Sequence, residues 1–231
     1  IAYRNVPIDL NHGHQQTLVG MTTFEVIHED VINELTQMYP LIKNLVKDDQ
    51  AVIEAGFKKW AENIIANGVP HNNWDLFQAD FIVKIALVLQ DNQAYADGKG
   101  KQYYLDYIVN QNSIRQWSMN KLIDFGFDAK SKTWYESPGY STTVLSSICD
   151  FANMLDEKAG IDLFKLRPIL TEAVKTSAEY LFPNRMIAGF GDTHPGYLNT
   201  GGIDQVLKYA TRHKNKNLIS EMNLLKNAVA P

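Results

Sequence analysis

From residue 21 onward, apolar positions recur three and four residues apart, the spacing of a helix with one buried face. Phe24, Ile27, Val31, Ile32 and Leu35 set the first stripe, and Tyr39-Pro40 interrupts it. A second helix is expected from Asp49 through Ile65, ending at Asn67-Gly68 as a left-handed stop with Pro70 behind it. The third, Trp74 to Ala96, is apolar nearly all round at Phe81 to Leu89, which predicts an inner helix. A loop follows at Ala96 to Gly100. Further helices are expected at Tyr103 to Gln111, Val144 to Leu155, Pro168 to Leu181, Gln205 to Arg212 and Leu218 to Asn227, with Pro168 suited to a helix start.

Strand signals are scarce, so the pattern predicts an all-α fold. Serial helix pairs of this length resemble solenoid or toroid architecture, and a single domain is the simplest reading of 231 residues. Two segments break the helical pattern, Asp128 to Tyr140 and Pro183 to Gly202, both rich in Gly, Pro, Asn, Asp and aromatic residues. Connections on a rigid helical scaffold are where chemistry is sought first.

Composition narrows the function classes. With 45% hydrophobic residues the chain can bury a sizeable core, and the formal net charge of -4 gives no general attraction to nucleic acid or acidic membranes. A polyanionic ligand therefore needs a local basic or polar cleft. The apolar run Phe81 to Leu89 is broken by Lys84 and falls far short of the roughly twenty residues of a membrane span. The single cysteine, Cys149, cannot form a disulfide within the chain and lies in an apolar helical pattern, as a buried small hydrophobe does.

Four polar clusters remain: Asn11 to Gln16, His71-Asn72-Asn73-Trp74, Trp134 to Tyr140, and Gly191 to Gly196. His12, His14 and His71 suggest metal ligands by type, but no HExxH or Cys/His spacing accompanies them, and two histidines at i and i+2 point apart on a helix. No metal is expected. Asn72 or Asn73 can serve as the N-cap of the helix that opens at Trp74. Tyr135 and Tyr140 are read either as core aromatics with hydroxyls at the surface or as chemistry-bearing groups. Trp74 and Trp134 are read as packing residues or as platforms for sugar rings. Glu136 and Asp192 are the carboxylates a glycoside hydrolase would use, and Asp192 alternatively caps a turn.

Taken in order, these clusters resemble the helical domain of the heparinase II/III and related alginate-lyase superfamily. The carriers are Asn73-Trp74-Asp75-Leu76-Phe77-Gln78-Ala79, then Lys132 to Tyr140 followed by Val144-Leu145, then Gly189-Phe190-Gly191-Asp192, so that the likeness covers residues 60 to 200. Trp74 stands where several relatives have His. The resemblance implies an incomplete (α/α) toroid of antiparallel helix pairs over residues 1–231, excised from a longer lyase with a C-terminal β-sandwich. It further implies a secreted or periplasmic lyase that cleaves a uronic-acid polysaccharide by β-elimination, leaving 4,5-unsaturated ends. No cofactor is required of the helical domain, and a structural metal in the further domain stays open.

The same resemblance puts Tyr140 at the catalytic tyrosine and Asn73 at the amide that withdraws charge from the uronate carboxylate. Removing such a donor typically costs about 10²- to 10³-fold in rate. A tyrosine ordinarily titrates near 10, so a nearby histidine is expected, His194 first and His71 second. Arg185 is the candidate for bidentate binding of the carboxylate. The expected substrate-binding set is completed by His12, His14, Asn72, Trp74, Gln78, Trp134, Tyr135, Glu136 and Asp192. The alternatives are an α/α-toroid glycoside hydrolase and a non-catalytic glycan-binding module.

Overall fold

The computed structural model describes residues 31–71, 73–189 and 193–229. Those residues are mostly helical, with one two-residue β-hairpin, so the all-α expectation holds. By packing they fall into two compact units, one ending at Leu122 and the other beginning at Ile123.

In the N-terminal unit, α1 (Val31–Ile42), α2 (Gln50–Asn67) and α4 (Lys101–Asn110) pack on α3 (Asn73–Val88). As the all-round apolar sequence predicts, α3 is the inner helix: Phe81, Ile82, Val83, Ile85 and Ala86 are all buried. It stops at Val88, short of the expected Ala96, because a short 3-10 turn at Asn92–Ala94 takes over. Helix α1 runs through Pro40 where the sequence predicts a break. Tertiary anchoring accounts for this: Tyr39 is buried and its hydroxyl donates to Glu54 at 3.0 Å, which holds the last turn despite the missing amide. Gly68 ends α2 in an extended conformation, not a left-handed one, and is small for another reason. A Cβ there would meet the Gln78 side chain.

Helix α5 (Met119–Gly126) lies where no helix is expected from sequence. In the C-terminal unit, α6 (Pro138–Ala159) is the spine and α9 (Gly201–Arg212) packs along it, with α10 (Lys216–Val229) against α9. Helix α6 starts six residues earlier than the apolar pattern suggests, with Pro138 at its first turn, and closes on Gly160 in the left-handed conformation. The segment expected as one helix from Pro168 to Leu181 divides into α8 (Ile169–Thr176) and a 3-10 turn, Ser177–Tyr180, preceded by the short α7 (Leu163–Leu166). The hairpin, β1 (Met186–Ile187) with β2 (Gly196–Tyr197), lies in the long connection from Pro183 to Gly202. Cys149 is buried in α6, as expected, and burial pushes its thiol up. No helix among the described residues is long and apolar enough to cross a membrane.

Candidate active site

In the C-terminal unit the candidate chemistry gathers at the start of α6. Pro138 and Gly139 lead the helix, and Tyr140 follows on its first turn with 37% of its surface exposed. The loop carrying His194 is tied to this point: Thr193 Oγ1 donates to Ser137 Oγ at 3.2 Å, and a Cβ on Gly139 would press on Thr193. Exposed His194 therefore sits one residue from a segment that contacts the Tyr140 turn, although the two come from places 54 positions apart in sequence. Next to Tyr140, Ser141 shares a 3.2 Å hydrogen bond with the Tyr180 hydroxyl.

Trp134 is a packing residue. It is only 2% exposed, meets Phe127 edge-on and Tyr135 at a tilt, and donates its indole N–H to Glu136 Oε2 at 2.8 Å. Its expected role as a sugar platform does not fit that burial. The Glu136 carboxylate is engaged by the same bond. Tyr135 is half-exposed and also meets Phe125 edge-on, so that part of its ring lies at the surface. Arg185 stands in the left-handed region at the hairpin and donates to the Ala228 carbonyl at 3.3 Å, near the end of α10.

In the N-terminal unit the start of α3 is held by a side-chain network. Gln78 Oε1 accepts from the Val69 amide at 2.7 Å, Gln78 Nε2 donates to Gln116 Oε1 at 2.8 Å, and Gln116 Nε2 donates to the Asp75 carbonyl at 3.1 Å. Gln78 is fully buried and ties two segments together, so the substrate-binding role expected of it from sequence does not fit that burial. Asn73 opens the helix, part-exposed, with Trp74 beside it. His71 is exposed, in the left-handed region at φ 57, and its ring lies 5.2 Å from that of Trp117. Lys121 places its ammonium 3.8 Å from the Trp117 ring centroid. Asp75 is buried beneath, with Oδ1 accepting from the Trp117 amide at 2.9 Å and Oδ2 without a hydrogen-bond partner. Burial pushes its carboxyl up to about 8, outweighing the Trp117 bond and the Lys121 charge.

Sequence reasoning singles out His71, Asn73, Trp74 and Gln78 here but not Asp75, Trp117 or Lys121. Asp75 carries a faint signal, an acid two positions after Asn73 on the first turn of a helix. Trp117 and Lys121 carry none, because a tertiary contact across about forty residues brings them in. Asn72, Asp192, His12 and His14 lie outside the described residues.

A second feature of the N-terminal unit is an open cleft of about 670 Å³ lined by Gln50, Glu54, Lys58, Gln90 and Tyr95 among others. At its base Glu54 is 1% exposed and accepts from Tyr39, Gln50, Gln90 and Tyr95, all within 3.0 Å. Burial works to raise its carboxyl, and these four donors together outweigh that and lower it. Every oxygen is engaged, which marks a structural node.

The described residues that come nearest to a metal-ligand set are Asp156, Asp162 and His213, whose ligand atoms lie within 4.8 Å of one another. Arg212 and His213 both contact Asp156 Oδ2, at 2.7 and 2.8 Å, and the Tyr209 hydroxyl donates to Asp162 Oδ2 at 3.0 Å. A guanidinium on the same oxygen disfavours a cation there, so the cluster reads as an ion-paired clamp between α6 and α9.

With this geometry in hand, comparison with protein families finds that residues 130–230 match the second domain of endo-acting ulvan lyases, a polysaccharide lyase family. The matched stretch begins just before the turn that carries Tyr140 and contains the whole of α6 to α10. No curated protein and no solved structure matches the chain.

Proposed function

We propose that this protein is a polysaccharide lyase that cleaves a uronic-acid glycan, with ulvan as its substrate, by β-elimination. The observation that carries the reading is the match of residues 130–230 to the ulvan lyase second domain, within which Tyr140 stands exposed at the start of α6. The likeness to heparinase II/III enzymes seen in the sequence agrees with it at the level of reaction type. The glycan is too large to enter a cell intact, which fits a secreted or periplasmic enzyme.

In the reaction a base removes the proton on C5 of the uronate, the electron pair forms the C4–C5 double bond, and the C4–O4 bond breaks. The departing oxygen takes a proton, and no water is consumed. The C5 proton lies α to a carboxylate whose charge opposes carbanion formation, so a donor must draw that charge off. Asn73 is assigned this role through its amide NH₂, and Tyr140 is assigned delivery of the proton to O4. His194, held near the Tyr140 turn through Thr193, is the partner proposed for the phenol. Arg185 and Tyr135 are proposed to bind the substrate carboxylate and a sugar face.

Replacing Tyr140 by Phe removes only the phenolic hydroxyl from an exposed position. Tyr140→Phe is expected to lower kcat on ulvan by at least about 10²-fold while the melting temperature stays within a degree or two. Turnover near the wild-type rate would remove Tyr140 from the mechanism.

A further inference from the structure

The network at the start of α3 joins two short stretches, residues 69–78 and 113–121, whose charges do not balance. Between them they hold the cations Arg115 and Lys121, with His71 beside them, against a single carboxyl, Asp75. That carboxyl is wholly buried, with one oxygen on the Trp117 amide and the other without a partner. Kept protonated at neutral pH by its burial, it contributes no negative charge to offset Lys121. A chain with a net charge of -4 thus presents the exposed Lys121 ammonium near the helix that carries Asn73.

The Lys121 ammonium in this cluster is held in place. The half-buried Trp117 carries the Lys121 ammonium 3.8 Å from its ring centroid and the His71 ring at 5.2 Å. Lys121 is exposed, and its ammonium lies over the face of Trp117. Holding a flexible lysine over an aromatic face removes part of the entropy that a ligand would otherwise have to freeze out. An indole edge with an ammonium and an imidazole beside it suits a sugar ring that bears an anionic group, since the ring offers apolar C–H surface and the substituent offers acceptor oxygens.

We propose that His71, Trp117 and Lys121 form a binding subsite for an anionic sugar, pairing its carboxylate or sulfate ester with Lys121. The subsite rests on the lyase reading for the identity of the sugar and on nothing else in it. It would hold the chain beside Asn73.

The test is titration of the full protein with ulvan oligosaccharides, followed by Trp fluorescence, for the wild type and for Lys121→Gln and His71→Ala. The same oligosaccharides are then used after carboxyl reduction and, separately, after desulfation. Wild type should bind the native oligosaccharides, and Lys121→Gln should weaken binding about tenfold. Whichever chemical treatment removes the recognised group should weaken wild-type binding by a similar factor and leave Lys121→Gln indifferent to that treatment. Lys121 is exposed, so its variant is expected to keep the wild-type melting temperature. His71→Ala serves as a second, independent probe of the same face and should weaken binding as well. Equal affinity of wild type and both variants, or no binding by wild type, overturns the subsite. Release of unsaturated products with Lys121-independent binding removes the subsite and leaves the lyase reading standing. Lys121-dependent binding with no unsaturated product keeps the subsite and removes the lyase reading.

Discussion

Two buried carboxyls in the N-terminal unit sit in opposite states, and neighbours decide which. Glu54 meets four donors and stays ionised; Asp75 meets one backbone amide and is held as the neutral acid. The signs of their pH effects follow. Asp75 titrates higher in the folded protein than in the unfolded chain, so its contribution to stability is full below about 4 and is lost as pH rises through about 8. Asp75→Asn keeps the shape and the acceptor for Trp117 and cannot ionise. Urea denaturation at several pH values should show the wild type losing stability relative to the variant from about pH 4 to about pH 8, with Lys121 and Tyr107 as the nearby groups, and levelling off below the variant at the alkaline end. Parallel curves would mean that Asp75 does not carry the effect. Glu54 behaves in the opposite sense, its contribution being present above its unfolded value and lost as pH falls through the lowered one. Glu54→Gln leaves donors facing donors at a buried site and is expected to cost about 2 kcal/mol or more in denaturant titration at pH 7. Little of this was legible in the sequence, where Glu54 is one acid on an amphipathic helix; apart from Gln50 one turn before it, its donors come from α1 and the loop after α3.

Most helices were legible, and their ends were not. The all-round apolar stretch at Phe81 to Leu89 identifies an inner helix because few other environments accept it. Boundaries at Pro40, Gly68 and Pro138 depend on what the neighbouring elements supply. Helix α5 escaped because Asn112 and Ser118 organise its start through a local turn, with Asn112 accepting from both the Ser118 amide and its hydroxyl. At its other end Gly126 leaves space for Trp134, since a Cβ would fall inside the indole ring. Gly126→Ala is therefore expected to destabilise the C-terminal unit by about 1–3 kcal/mol, read as a lowered melting temperature. An unchanged melt would mean that Trp134 can move aside. The packing of α6 on α9 has a polar centre as well: buried Asn153 donates to the Gln205 carbonyl at 2.8 Å and accepts from Arg212 at 2.7 Å. Asn153→Ala strands these partners and should cost about 1–3 kcal/mol in denaturant titration, whereas a neutral result would make the contact incidental.

At the scale of the whole molecule, the mildly acidic balance sets aside nonspecific attraction to a polyanion, so recognition of an acidic glycan has to be local. The sequence located the turn of Tyr140 and the start of α3 as places to look, through residue types that interrupt helical periodicity. It could not supply the cluster of Trp117, Lys121 and Asp75, or the burial that retires Trp134 and Gln78 from contact with substrate. The central claim is that the chemistry is elimination and not hydrolysis. It is tested most directly by digesting ulvan with the full-length protein in water enriched in ¹⁸O and following both ultraviolet absorbance and product mass. Elimination predicts absorbance from new 4,5-unsaturated uronate ends and no ¹⁸O incorporated by the cleavage itself; saturated ends that carry one ¹⁸O per bond broken would contradict it.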